Sequence, residues 1–195
     1  MATHPHIALT GKSGVGKDTV GAMLTRHGGY TRLAFADELR RAALRVDPYI
    51  PLANARVSVR LSDLVRRVGW RTAKDEFPEV RRVLQEYGQA VRELEPEFWI
   101  RPVQAQVRQG TQWNLPCVIT DARYLNEVDA LRVEGAVIVR VERPGAGLVG
   151  DAARHASETE LDGLEPNYVL RNDGGMADLL EAVRTLYRQI GTLSV

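Results

Sequence analysis

Cysteine is nearly absent from this chain, and lysine is scarce. The single cysteine, Cys117, excludes an intramolecular disulfide. It sits in the apolar run Pro116-Cys-Val-Ile-Thr120 and reads as a small buried residue, not as a ligand or nucleophile. That usage fits a reducing compartment, and the expected location is the cytoplasm. The only lysines are Lys12, Lys17 and Lys74, so arginine carries most of the positive charge. Most of those arginines read as compositional bias. Some are expected to grip phosphates, which a planar guanidinium fork does well.

The net charge is only +1, which excludes a global field that would hold nucleic acid or a membrane. No apolar run approaches the roughly 20 residues that cross a bilayer. The N-terminus enters a short strand, with no basic stretch ahead of an apolar signal core. Repeats, low-complexity tracts and a disordered composition are also missing.

What is present alternates between strand and helix. Ile7 to Leu9, within His6 to Thr10, is a short apolar run that suits a buried parallel strand. Asp18 to His27 reads as a helix stopped by Gly28-Gly29. Leu33 to Phe35 is a second strand, and Asp37 is placed to cap a helix from Glu38 to Val46. Residues 49–110 read as almost wholly helical, with Glu95-Pro96 opening a helix and Pro102 breaking it. The alternation then resumes. Val118 to Thr120 is a strand, Asn126 caps a helix to about Glu134, residues 136–141 and 169–170 are strands, and a final helix follows. This pattern predicts an α/β fold: a three-layer P-loop sandwich on a parallel sheet of about five strands. Residues 49–110 would form an inserted helical subdomain for substrate, and 143–158 a candidate lid.

The strongest motif is Gly11-Lys-Ser-Gly-Val-Gly-Lys-Asp-Thr19, following a strand and opening a helix. Gly11, Gly14 and Gly16 let the backbone turn tightly and aim its N–H groups at phosphate oxygens. The helix N-terminus adds partial positive charge. Lys17 is expected to reach the β and γ phosphates of ATP. Lys12, Ser13, Val15, Asp18 and Thr19 complete the candidate nucleotide cradle. Asp18 stands where a hydroxyl residue normally binds Mg²⁺. It is either a hard-cation ligand, direct or through water, or only a favourable charge in the first helical turn.

Two absences bear on where the phosphoryl group goes. Ala122 follows Asp121, where a water-using NTPase often has a Glu base, and no guanine-reading Asn-Lys-x-Asp is present. Both favour an organic acceptor over water. Asp121 is a candidate to assist Mg²⁺ or bind acceptor, and Arg123 to neutralise the transferred group. The alternative is that they pair with each other. Arg81, Gln85, Gly88 and Arg92 share one side of a helix, where Arg92 suits a phosphate, Gln85 a base edge, and Gly88 a close approach. Trp70 and Trp99 either stack on a base or belong to a core. Asn172-Asp-Gly-Gly175 either passes near adenine or is a simple turn.

Taken in order, several segments resemble the phage-type deoxynucleoside monophosphate kinases. They are the cradle with its Gly-Lys-Asp-Thr, Phe35-Ala-Asp-Glu-Leu39, Leu84-Gln-Glu-Tyr-Gly88 with Arg92, and Phe98-Trp99. Ile119-Thr-Asp-Ala-Arg-Tyr-Leu-Asn-Glu127 and His155-Ala-Ser-Glu158 complete the set. The family typically has Pro where Glu38 and Leu125 stand. The resemblance implies Mg-ATP as donor, a deoxynucleoside monophosphate as acceptor, and a homodimer. It places Lys12 to Thr19 on ATP. It places Asp37, Gln85, Arg92, Trp99 and Arg123 at the acceptor, where Arg40, Trp70 and Asn126 are further candidates. For a phage gene the cytoplasm is the host's. Competing readings are a kinase of another small acceptor, such as dephospho-coenzyme A, and a non-catalytic nucleotide-binding module.

Overall fold

All four residues of β1 (Ile7–Thr10) are buried, as a strand covered on both faces must be. The computed structural model describes residues 4–52, 57–148, 150 and 156–191. β1 lies in the middle of a five-stranded parallel sheet with β2 (Thr31–Leu33), β5 (Cys117–Ile119), β6 (Val137–Glu142) and β7 (Tyr168–Arg171), in the order β2-β5-β1-β6-β7. Ile7 pairs with Val118 on one side and Val137 on the other.

Alternation along the strands divides the apolar side chains between two layers. Ile7, Leu9, Val139 and Val141 pack with Val20 and Leu24 of α1 (Lys17–Gly28) and with Leu179, Val183 and Leu186 of α8 (Met176–Gly191). Ala8, Ile119 and Ile138 pack with Val103 and Val107 of α5 (Ile100–Gln112) and with Val128 and Leu131 of α6 (Leu125–Val133). This is the expected three-layer α/β arrangement. Cys117 lies within it at 2% exposure, and burial pushes its thiol up to about 11.

The chain divides into two compact units, one of residues up to Phe35 and from Ile100 onward, the other Ala36–Trp99. The second unit therefore starts and stops earlier than the expected 49–110. α2 (Phe35–Val46) supplies Ala43 to its core, whereas α5 packs with the sheet. That core also takes Leu61 and Leu64 from α3 (Leu61–Glu76), and Val80 and Leu84 from α4 (Pro78–Leu94).

The unit is not wholly helical, which corrects the sequence reading. β3 (Tyr49–Pro51) and β4 (Ser58–Arg60) form an antiparallel pair. Asp47, at φ 49°, turns the chain into it and accepts hydrogen bonds from the Ser62 amide (2.8 Å) and hydroxyl (3.0 Å). The amide bond holds the Asp47 carboxyl below its usual range.

Four local expectations also change. β2 ends at Leu33, and Phe35 already belongs to α2, so Asp37 lies inside that helix and does not cap it. Pro102 does not break a helix; it sits in the first turn of α5, where an amide hydrogen has no helical partner to lose. The helix expected from Glu95-Pro96 begins only at Ile100. Asn126 lies inside α6, whose entry is instead secured by Glu127: its carboxylate accepts from the amide of Tyr124 at 3.3 Å.

Candidate active site

The phosphate loop joins β1 to α1 at the C-terminal edge of the sheet, where folds of this class bind ligands. Its glycines are required by geometry. Gly11 has φ 123°, and a Cβ there would lie 2.3 Å from the Val141 carbonyl oxygen. Gly16 has φ 103°, and its Cβ would meet the Asn172 amide at 2.7 Å. Asn172 is buried just after β7 and donates to the Val15 carbonyl at 2.8 Å, bracing the loop. The residue expected near adenine is thus a support for the phosphate loop. At Gly14, with φ 78°, nothing among the described residues lies within 4 Å of the same position, which leaves the loop's crest open.

Lys17 is 7% exposed, and its ammonium donates to the carbonyls of Gly11 (2.6 Å) and Lys12 (2.8 Å). Burial pushes its pKa down to about 8, and the Arg123 charge acts in the same direction. Glu158, Asp18 and Asp121 oppose that shift. The loop lysine, Arg123 and three carboxylates therefore share one electrostatic neighbourhood. Asp18 is exposed in the first turn of α1.

Asp121 stands two residues beyond β5 and accepts from the Phe35 amide at 2.8 Å, so it holds the start of α2. Arg123 is held at both ends. Its amide donates to Glu127 at 2.8 Å, and its guanidinium pairs with Glu158. Glu158 is a partner that the sequence reading did not give it. Lys12 donates to the Glu158 carbonyl and pairs with Asp162. A cavity of about 250 Å³ opens beside the loop, lined by Thr10, Lys12, Arg123, Arg140, Arg143 and Glu158 among others.

Within the second unit, three of the residues assigned to the acceptor stand together. Arg40 pairs with Asp37 at 2.8 Å, and its guanidinium lies 5.9 Å from the Trp70 ring centroid. Gln85 is exposed and Arg92 half-buried on α4. Gly88 makes its close approach to a side chain of the same unit: a Cβ there would stand 3.1 Å from Leu39. Trp99 is 3% exposed, and its indole N–H donates to the Gly88 carbonyl at 3.1 Å. Its ring packs edge-on to Tyr87 and Phe98. As placed, it is a core residue that presents no ring face for a base. Asn126 is half-buried at the start of α6.

The sequence reading gave Glu127 and Glu158 no structural role, and Asn172 none beyond a simple turn. Glu127 is legible afterwards as a carboxylate at the third position of a helix. Glu158 had no such signal beyond its motif. Of the expected lid, residues 149 and 151–155, including His155, lie outside the described residues.

A family model for deoxynucleotide monophosphate kinase matches residues 72–183, more than half of the chain. The chain belongs to the deoxynucleotide monophosphate kinase family. The matched stretch contains Gln85, Arg92, Asp121, Arg123 and Glu158; the phosphate loop lies before it. The kinase is 28% identical over 159 residues to the uncharacterized protein ORF77 of Ictalurid herpesvirus 1, covering 80% of this chain and 69% of that one. Among solved structures it is similar to the dephospho-CoA kinase from Campylobacter jejuni, with a TM-score of 0.59 at 11% identity, covering 97% of this chain and 98% of that one. A sugar kinase from Janibacter sp. HTCC2649 has a TM-score of 0.53 at 16% identity, with 98% of each chain covered. Such identities show a common P-loop kinase fold.

Proposed function

We propose that this kinase transfers the γ-phosphoryl group of ATP to the phosphate of a deoxynucleoside monophosphate in one direct in-line step. The observation that carries the proposal is the family match over 72–183 in a chain whose glycine loop holds Lys17 beside Arg123. Phosphoryl transfer needs little covalent help from the protein; positioning and charge stabilisation suffice. The loop's N–H groups would hold the ATP phosphates, with Lys17 on the β and γ groups. Arg123 would neutralise charge on the group in flight.

The donors present fit Mg²⁺, which keeps several waters and takes one or two protein carboxylates. Asp18 and Asp121 both act electrostatically on Lys17, so hard oxygen donors stand near the loop. Bound there, Mg²⁺ would neutralise phosphate charge. In the second unit, Asp37, Arg40, Trp70, Gln85 and Arg92 are the candidates for the acceptor. Trp99 would support them as a core residue.

The test is ADP release from Mg-ATP with each deoxy- and ribonucleoside monophosphate supplied singly, and with dephospho-coenzyme A. Release that depends on deoxynucleotides supports the proposal and defines the base range. Release only with another acceptor, or ATP binding with no release at all, would overturn it. Lys17→Ala should remain folded and lose turnover by roughly a hundredfold or more; full activity in that variant would also overturn it.

A further inference from the structure

Glu158 places a negative charge where the negatively charged phosphates of ATP are expected to bind, and that demands an explanation. It belongs to α7 (Ala156–Thr159), and its side chain is only 3% exposed. One carboxylate oxygen accepts from the Ser13 amide of the phosphate loop at 2.9 Å. The other pairs with the Arg123 guanidinium. The backbone carbonyl of the same residue accepts from Lys12, whose ammonium also reaches Asp162. One short segment thus grips the phosphate loop at two successive residues and the loop after β5 at Arg123.

A carboxylate is costly to bury, and this one is matched on both oxygens. Lys17 and Arg123 are like charges acting on each other, while Glu158 favours the charged lysine. The Glu158 carboxylate, paired with Arg123, offsets that repulsion and lets both cations remain at the loop. Its bond to the arginine fixes the direction of the remaining guanidinium N–H groups. Its bond to Ser13 takes one loop donor and ties the arginine's position to the loop backbone.

We propose that Glu158 is a positioning residue for phosphoryl transfer, holding the Arg123 guanidinium and the phosphate loop in one register. The inference rests on the kinase reading above. It predicts that Glu158 acts on the reaction through Arg123.

The test is a double-mutant cycle on the full chain, with kcat and KM for ATP and acceptor measured for Glu158→Gln, Arg123→Ala and the pair. Glutamine keeps one acceptor oxygen and loses the charge, so it cannot serve both partners. Glu158→Gln should lower kcat by about 10- to 100-fold, the scale of a misplaced catalytic group. KM for ATP should change by less than about threefold. In the Arg123→Ala background the same substitution should cost less than about threefold more, because coupled residues are non-additive. Glu158→Asp retains the charge and should keep more activity than Glu158→Gln. It carries the same cycle if the glutamine variant does not fold.

Losses that multiply in the double variant would overturn the inference. So would a Glu158→Gln enzyme as active as the parent or more so, since the carboxylate would then be competing with phosphate. An inactive parent enzyme would instead strike the kinase reading itself, and an active parent with multiplying losses would strike only this inference.

Discussion

The Lys17 ammonium donates to the carbonyl oxygens of Gly11 and Lys12, at 2.6 and 2.8 Å, so the phosphate loop closes around its own lysine. Burial, then Arg123, pushes that lysine from 10.5 down to about 8. Phosphate binding requires the charged form. ATP affinity should therefore be level below pH 8 and weaken above it by up to about tenfold per pH unit. Calorimetric titration between pH 7 and 9.5 checks this, and Lys17→Arg, always charged, should flatten the profile. Stability moves the other way. The unfolded chain holds this proton up to about 10.5 and the folded one only to about 8. The charged lysine thus costs stability below pH 8, and the cost is relieved as pH rises through that window. Thermal melts should show Lys17→Met at least as stable as the parent at pH 7.

Gly11 and Gly14 separate backbone strain from steric conflict. Both have positive φ, but only at Gly11 would a Cβ strike backbone, the Val141 carbonyl oxygen at 2.3 Å. Gly14→Ala should lose about 1 kcal/mol, from strain alone. Gly11→Ala should lose clearly more and bind ATP more weakly. Urea midpoints for the two variants decide it; equal losses would show that the loop relaxes around the new methyl group.

Asp121 accepts the Phe35 amide at 2.8 Å and is also a candidate for Mg²⁺. Asn keeps the accepting oxygen without the charge. Asp121→Asn should stay within about 0.5 kcal/mol of the parent, whereas Asp121→Ala should lose about 1 kcal/mol as a deleted cap does. The Asn variant should nonetheless lose kcat by at least about tenfold. Full kcat in that variant would reduce Asp121 to a structural acceptor.

Trp99 offers a test of core against binding site. Trp99→Phe removes one hydrogen bond to the Gly88 carbonyl, an acceptor that the α4 ladder also engages, at a cost of about 0.5–1.5 kcal/mol. The acceptor KM should stay within about twofold. A tenfold rise in KM at unchanged stability would return the ring to the acceptor site.

The sequence by itself determined the sheet, the phosphate loop and the order of the layers. Each rests on a local rule: continuous apolar runs for buried strands, Gly11, Gly14 and Gly16 at turns that side chains disfavour, and a helix opening right after the loop, expected from Asp18 and found from Lys17. It also marked Lys17 and Arg123, because a loop lysine and an arginine beyond a strand are recognisable by position. Only the tertiary structure decided which groups hold them. Glu158 meets Ser13 and Arg123 across |i−j| separations of 145 and 35 residues, and Asn172 meets Val15 across 157. No local period encodes such pairs. The start of α2 at Phe35, with Asp37 inside it, was decided in the same way. The Phe35 amide finds its acceptor in Asp121, 86 residues later in the chain. A buried amide takes whichever acceptor the fold brings to it, and that identity is a property of the packed sheet edge.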